Sequence, residues 1–297
     1  MASDAISIAR SGIDLHIHTT ASDGTLSPAD VLREARREGL AAIAITDHDT
    51  LAGVRDALSV GIPAGMKFLS GVEISAAPPP ALSMRGSFHL LGYGIRTNHG
   101  PLDRCLTDLR DSRKNRNPRI VARLRELGFD IRLEAVSEFA GGAEIGRPHI
   151  AGFMKSRGWV ESIDEAFDRY IGNNGPAYAD KHRVPCAEAV ALLREAGGVA
   201  VVAHPGLLPV GPGPEFEATI AELRDMGVRG IEVFYPGHSP ESTAYFADIA
   251  RRYDMVATGG TDFHGDIKPE LRMGRGFGDF RVPFEIYDAL LREAARP

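Results

Sequence analysis

Near the start of the chain His16-Ile17-His18, and near its end Asp262-Phe263-His264, set two metal-binding side chains two residues apart. Side-chain direction repeats every second residue along a strand, so each pair lies on one face. Alone, either is more often a pair of satisfied polar residues than a site. Two such pairs at opposite ends of one chain point to a pocket of imidazoles and carboxylates for divalent cations. Further groups of the same kind follow short apolar runs: Asp47-His48 after AAIAI, Glu73 after KFLSGV, His89 within FHLLGYG and His204 in AHPG. Asp23, in Ser22-Asp23-Gly24, reads by itself as a turn residue. Cys105 and Cys186 lie far apart with no CxxC pairing, so thiolate ligands and a disulfide framework are both excluded. A nitrogen and oxygen donor set of this kind suits manganese, iron or zinc. A water held between two such cations is acidified to near neutral pH, and a two-metal clamp stabilises in-line attack on phosphorus. No serine or cysteine nucleophile is suggested.

These side chains need a frame that gathers them. Short β-branched segments at Ile13–Ile17, Ala41–Ile45, Phe68–Val72, Phe88–Gly92, Val199–Ala203, Ile231–Phe234 and Val256–Thr258 alternate with amphipathic stretches, the signature of βα units around a parallel sheet. Ser27, Pro28 and Gly39 mark the start and stop of the first helix, and further helices are expected near 187–196, 215–226, 240–252 and 283–294. In a parallel barrel the strand C-termini share one mouth, where the ligand groups would meet. With 297 residues, 43% of them hydrophobic, the chain is neither disordered nor fibrous, and its length allows two domains or one barrel with an insertion. The ligand order decides for one α/β barrel, because residues 14–94 and 199–266 must build a single pocket. Barrel boundaries of 13–97 and 186–297 are expected, with 98–185 inserted as a mainly helical cap. Inside the cap, Leu102–Leu127, Arg147–Arg157 and Ser162–Tyr170 read as helices.

The net charge of −6 argues against a nucleic-acid binder that uses its whole surface. Residues 104–132, however, carry nine basic and four acidic side chains, a local +5. Reduced thiols, an N-terminal segment without a leader pattern, and no apolar run able to span a bilayer lead to the expectation of a cytoplasmic protein with no membrane partner.

Taken in order over residues 14–266, HIHTTASDG, TDHD, GVE, the strand histidine before GYG, AHPG and TDFH resemble the PHP (polymerase and histidinol phosphatase) family of metal-dependent phosphoesterases. The resemblance implies a distorted seven-stranded (β/α) barrel and two or three divalent cations, manganese first and iron or zinc as alternatives. Carried over by position, one cation takes His16, His18, Glu73 and Asp262. A second shares Glu73 and adds His89 and His204, and a third uses Asp23, His48 and His264.

Within that family the chain is most similar to members that remove the 3′-phosphate of nucleoside 3′,5′-bisphosphates. That similarity rests on Arg110-Asp111-Ser112-Arg113 with Arg116, on Gly146-Arg147-Pro148-His149, and on Tyr170 to Tyr178. It implies that Arg110, Arg113, Arg116 and Arg147, with His149 nearby, hold the phosphate that does not react, through guanidinium–phosphate contacts. Two departures stand out. The family's lysine before Gly-Tyr is absent from Gly175-Pro176-Ala177-Tyr178, with Lys181, His182 and Arg183 only later, and Leu207 and Leu208 follow AHPG where an arginine is common. His238, after the sixth strand, is the candidate for the group that protonates the leaving oxygen. The expected partner is a small phosphorylated nucleotide or short RNA, with no stably bound nucleic acid. The alternatives are a 5′-to-3′ exonuclease, a phosphatase of another small monoester such as histidinol phosphate, which the basic insertion disfavours, and an inactive scaffold.

Overall fold

A computed structural model describes residues 12–84, 86, 88–141 and 145–296. Residues 1–11, which hold most of the segment read above as lacking a leader pattern, lie outside them. Among the described residues seven strands form one sheet in chain order: β1 (Ile13–Ile17), β2 (Ala42–Ile45), β3 (Lys67–Ala76), β4 (Phe88–Tyr93), β5 (Val199–Val202), β6 (Gly230–Phe234) and β7 (Val256–Gly259). β1, β2 and β5 are buried at every position, as a strand must be when the barrel interior covers one face and helices the other. The sheet curls until the segment after β7 reaches β1. There the His18 N–H donates to the Phe263 carbonyl at 2.9 Å and the Phe263 N–H to the His16 carbonyl at 3.2 Å. The result is a distorted seven-stranded (β/α) barrel.

The expectation of an all-parallel sheet needs correcting. β4 pairs antiparallel with both β3 and β5, placing Ala76 opposite Phe88 and Gly71 opposite Tyr93. The link between β3 and β4, residues 77–87, contains no helix among its described residues. A parallel connection needs a crossover of helical size, so the two strands return on each other as a broad hairpin. His89 therefore reaches the mouth from the N-terminal end of its strand. Glu73 sits inside β3, which runs on to Ala76, and not at a strand end.

Outside the sheet lie α1 (Pro28–Arg37), α2 (Ala52–Val60), α7 (Cys186–Glu195), α8 (Pro214–Asp225), α9 (Pro240–Arg252) and α10 (Glu285–Ala294). In α1 the Ser27 hydroxyl accepts from the Asp30 N–H at 3.2 Å, and Gly39 turns the chain away at φ +70°. Between β4 and β5 come α3 (Gly100–Glu126), α4 (Leu133–Phe139), α5 (Arg147–Ser156) and the short α6 (Ile163–Ala166), which widens into a π-helical turn over Phe167–Ile171. α3 belongs to two cores. Leu102, Leu106 and Leu109 pack into the barrel's core, whereas Ile120, Val121 and Leu124 pack with Val136, Ile150, Phe153 and Met154 in a separate cluster. The junction between those halves buries Arg113, Arg116 and Asn117. No helix among the described residues is long and apolar enough to cross a membrane.

Barrel closure also depends on a close approach at Gly260, where any Cβ would collide with the backbone and side chain of His16. Gly260→Ala should lower stability by about 1–3 kcal/mol, the usual cost of forcing extra volume into a packed interior, as read from the midpoint of urea unfolding.

Candidate active site

Nine of the expected ligand residues converge at the barrel mouth. The His16 and His18 Nε2 atoms lie 3.4 and 3.2 Å from Glu73 Oε2, and 3.3 and 3.2 Å from Asp262 Oδ1. Glu73 Oε1 faces the other way, 2.8 Å from His89 Nδ1 and 3.0 Å from His204 Nε2. Asp23 gathers a third set, with His18 Nδ1 at 3.7 Å, His264 Nε2 at 3.5 Å and His48 Nε2 at 3.8 Å. Sharing is wider than the family carry-over implied: His18 faces two of these sets, and His48 also turns its Nδ1 to Glu73 Oε2 at 3.1 Å.

Three of the four non-glycine residues with positive φ among the described residues stand here: Asp49 at 55°, His204 at 27° and Asp262 at 56°. Such backbone is costly and persists only where surrounding contacts enforce it. Asp14 supplies some of them, accepting from the Thr261 N–H at 2.9 Å, the Gly274 N–H at 2.8 Å and the His16 N–H at 3.2 Å. Burial nevertheless pushes its pKa up to about 6. Asp47, grouped with His48 above as a potential ligand, turns instead into the loop that carries Asp23. It accepts from the Thr19 N–H and the Ser22 hydroxyl, both at 2.7 Å.

The donor set fits divalent cations. His16 Nε2, both ring nitrogens of His18, Asp23 Oδ1, His48 Nδ1 and Glu73 Oε2 are buried with no hydrogen-bond partner. Buried polar atoms are normally paired, and so many unpaired nitrogen and oxygen donors side by side are able to hold divalent cations. Burial works against the Glu73 carboxylate, but the imidazoles of His48, His89 and His16 outweigh it and hold its pKa well below the usual range.

From this cluster a cavity of about 370 Å³ extends to Arg113 and Arg116 on α3, Arg147 at the start of α5, and Lys181. Arg113 Nη2 donates to Asp49 Oδ2 at 3.0 Å, and Lys181 Nζ to the same oxygen at 3.3 Å. Burial pulls the Lys181 ammonium down to about 7; Asp49 opposes this, while Arg113 and Arg116 reinforce it. Burial and the neighbouring Arg113 and Arg147 also pull the Arg116 guanidinium down. A guanidinium stays charged in proteins, so the basic groups here outnumber Asp49, the carboxylate that Arg113 and Lys181 share. Pro148, Ile163, Phe167, Leu207 and Ile267 supply the cavity's apolar lining.

Other expected substrate contacts fall elsewhere. Arg110 lies against the Thr50 hydroxyl at 3.3 Å and does not line the cavity. His149 is buried and does not line the cavity, with its Nδ1 accepting from the Gly146 N–H at 3.1 Å, although Asp23, His264 and Arg113 are near enough to act on its charge. His238 turns away from the mouth because the backbone holds both ring nitrogens: Nδ1 at 2.9 Å from the Val233 carbonyl, and Nε2 accepting from the Gly206 N–H at 3.2 Å. Tyr235 takes its place, with its hydroxyl 3.5 Å from Asp262 Oδ2. Asp49, Lys181, Tyr235 and Glu232 were not recognised as site residues from sequence. Glu232, the one acidic residue of the apolar strand Gly230–Phe234, carried the clearest signal.

Comparison with known proteins agrees with this centre. A model of the PHP domain matches residues 14–172. The chain belongs to the PHP family. This PHP protein is 32% identical to a 3′,5′-nucleoside bisphosphate phosphatase of Chromobacterium violaceum, over 85% of its own length and 87% of the relative's. It is 30% identical to a 5′-3′ exoribonuclease of Haemophilus influenzae, over 84% and 89% respectively. A solved structure from Bifidobacterium adolescentis, assigned as a metal-dependent phosphoesterase, superposes with a TM-score of 0.82 at 30% identity, covering 97% of this chain and 98% of that one. The protein is thus a PHP phosphoesterase, a hydrolase whose histidine and carboxylate clusters are able to bind metals.

Glu73 faces the most ligand groups and is the sharpest probe of the centre. Glu73→Gln should remove most of the rise in Tm that divalent metal gives the wild type. It should also lower kcat at least about a hundredfold, since metal stabilisation of a phosphoryl transition state is worth several kcal/mol.

Proposed function

We propose that this phosphoesterase hydrolyses the 3′-phosphate of a nucleoside 3′,5′-bisphosphate, releasing a 5′-mononucleotide and phosphate. The observation that carries the reading is the one cavity joining the ligand cluster to the basic side chains Arg113, Arg116, Arg147 and Lys181. One phosphate belongs at each end, and the apolar lining of Ile163, Phe167 and Leu207 suits a base between them. A volume of about 370 Å³ lies in the ~300–1,000 Å³ range of small-ligand pockets. That favours a nucleotide over a stably bound polymer, and the name of the Chromobacterium relative points the same way.

In this reading His16, His18, Glu73 and Asp262 hold one cation, Glu73, His89 and His204 a second, and Asp23, His48 and His264 a third, with His18 beside it. Manganese is the proposed ion. Cations there supply the charge that attracts a phosphate and acidifies the attacking water. The water's oxygen forms a bond to phosphorus as the bond to the ribose 3′ oxygen breaks, and the proton that the water gives up balances the one that the leaving oxygen takes up. Burial and the Asp262, Glu232 and Glu73 carboxylates keep the Tyr235 hydroxyl protonated, and that proton is directed at Asp262 Oδ2, 3.5 Å away, beside the position given to the reacting phosphate. Arg113, Arg116, Arg147 and Lys181 orient the 5′-phosphate, and residues 98–185 act as a cap over the barrel built from 13–97 and 186–297.

A phosphate-release assay with manganese tests the assignment. The bisphosphate should be cleaved faster than a 3′-monophosphate, a 5′-monophosphate, histidinol phosphate or a short 5′-phosphorylated RNA; preference for the RNA would make the enzyme an exonuclease. Arg147→Ala and Lys181→Met should each raise KM for the bisphosphate about tenfold or more, in line with losing a charged hydrogen bond, and leave KM for a 3′-monophosphate nearly unchanged.

A further inference from the structure

Glu232 lies outside the ligand clusters, fully buried on β6, yet both its oxygens are engaged by residues of those clusters. Oε1 lies 2.9 Å from His16 Nδ1, and Oε2 accepts the His204 N–H at 2.6 Å. A carboxylate oxygen can only accept here, so a neutral His16 carries its ring proton on Nδ1 and keeps the lone pair of Nε2. Nε2 is the buried, unpartnered atom that faces Glu73 and Asp262. The second contact falls on a backbone at φ 27° and ψ 62°, sparsely populated for a residue with a side chain. That turn aims His204 Nε2 at Glu73 Oε1, 3.0 Å away.

We propose that Glu232 is a positioning residue that serves two cation positions at once, setting the tautomer of His16 and pinning the left-handed turn of His204. It rests on the reading of the clusters as metal positions and not on the identity of the substrate. Its two oxygens are needed in different ways. A glutamine matches the shape, but one end must now donate. If its amide meets His16, the imidazole proton is driven to Nε2, where a cation would bind; if it meets the His204 N–H, two donors collide and the turn relaxes.

The test compares manganese stoichiometry and affinity in the wild type, Glu232→Gln and Glu232→Asp, measured by elemental analysis after dialysis against graded free metal. Glu232→Gln should bind manganese about 10–100-fold more weakly, the usual effect of losing a partner behind a histidine ligand. Glu232→Asp, which keeps two acceptors, should recover part of that loss, and KM should stay within about twofold in both. Equal metal binding by wild type and Glu232→Gln overturns the role of Glu232 alone; a wild type that takes up no divalent metal overturns the metal reading beneath it. If Glu232→Gln does not fold, the zinc-loaded wild type decides by nitrogen NMR: a His16 ring proton on Nδ1 supports the assignment, and one on Nε2 refutes it.

Discussion

A carboxylate that is 1% exposed, as Glu73 is, cannot persist without strong partners, because removing its charge from water costs several kcal/mol. Its two oxygens face opposite halves of the mouth, His16, His18 and His48 on one side and His89 and His204 on the other. Those five imidazoles come from β1 and the residue just after it, the loop after β2, β4 and the turn after β5. The barrel has to close, and β4 has to run backwards, for all of them to reach one residue in the middle of β3. Much of the architecture can be understood as the solution to that requirement.

The same logic extends outward through buried acids that do not face the ligand clusters directly. Asp14 ties the chain after β7 to β1, Asp47 shapes the loop that offers Asp23, and Asp49 holds both Ser75 and the cations Arg113 and Lys181. Each satisfies several donors, so each is affordable in a dry interior only as part of its network. The cationic corner differs in kind. Arg116 Nε has no hydrogen-bond partner, and burial and its cationic neighbours both weigh on its charge. A protein gains nothing in stability from such a group, which agrees with the anion-binding role proposed for this corner.

α3 connects these two regions. Its first half is bound into the barrel core and its second into the core of the inserted helices, with Arg113 and Arg116 buried at the junction. Any tilt of the inserted helices relative to the barrel would carry those arginines with it. The distance between the cationic corner and the ligand cluster is therefore set by the packing of Leu102, Leu106 and Leu109 as much as by the arginines themselves.

Much of this was legible in the chain. Apolar runs placed the strands to within a residue or so except at β3, and histidines and carboxylates recurring beside them exposed the ligand set, because both signals are local and follow from the alternation of side chains along a strand. The direction of β4 was not legible, since an apolar run reads the same whichever way it is paired. Nor was the fate of polar residues whose meaning depends on distant partners. His238 and Arg110 carry the right chemistry but are claimed by nearby backbone and by Thr50, whereas Lys181, Tyr235 and Glu232 acquire their places only when the barrel closes. By itself the sequence determined which groups could hold metal and that they belong to one barrel. Only the tertiary structure decided which of the remaining polar residues face that centre, because hydrogen-bond competition within a packed interior is a property of three-dimensional neighbours and not of order along the chain.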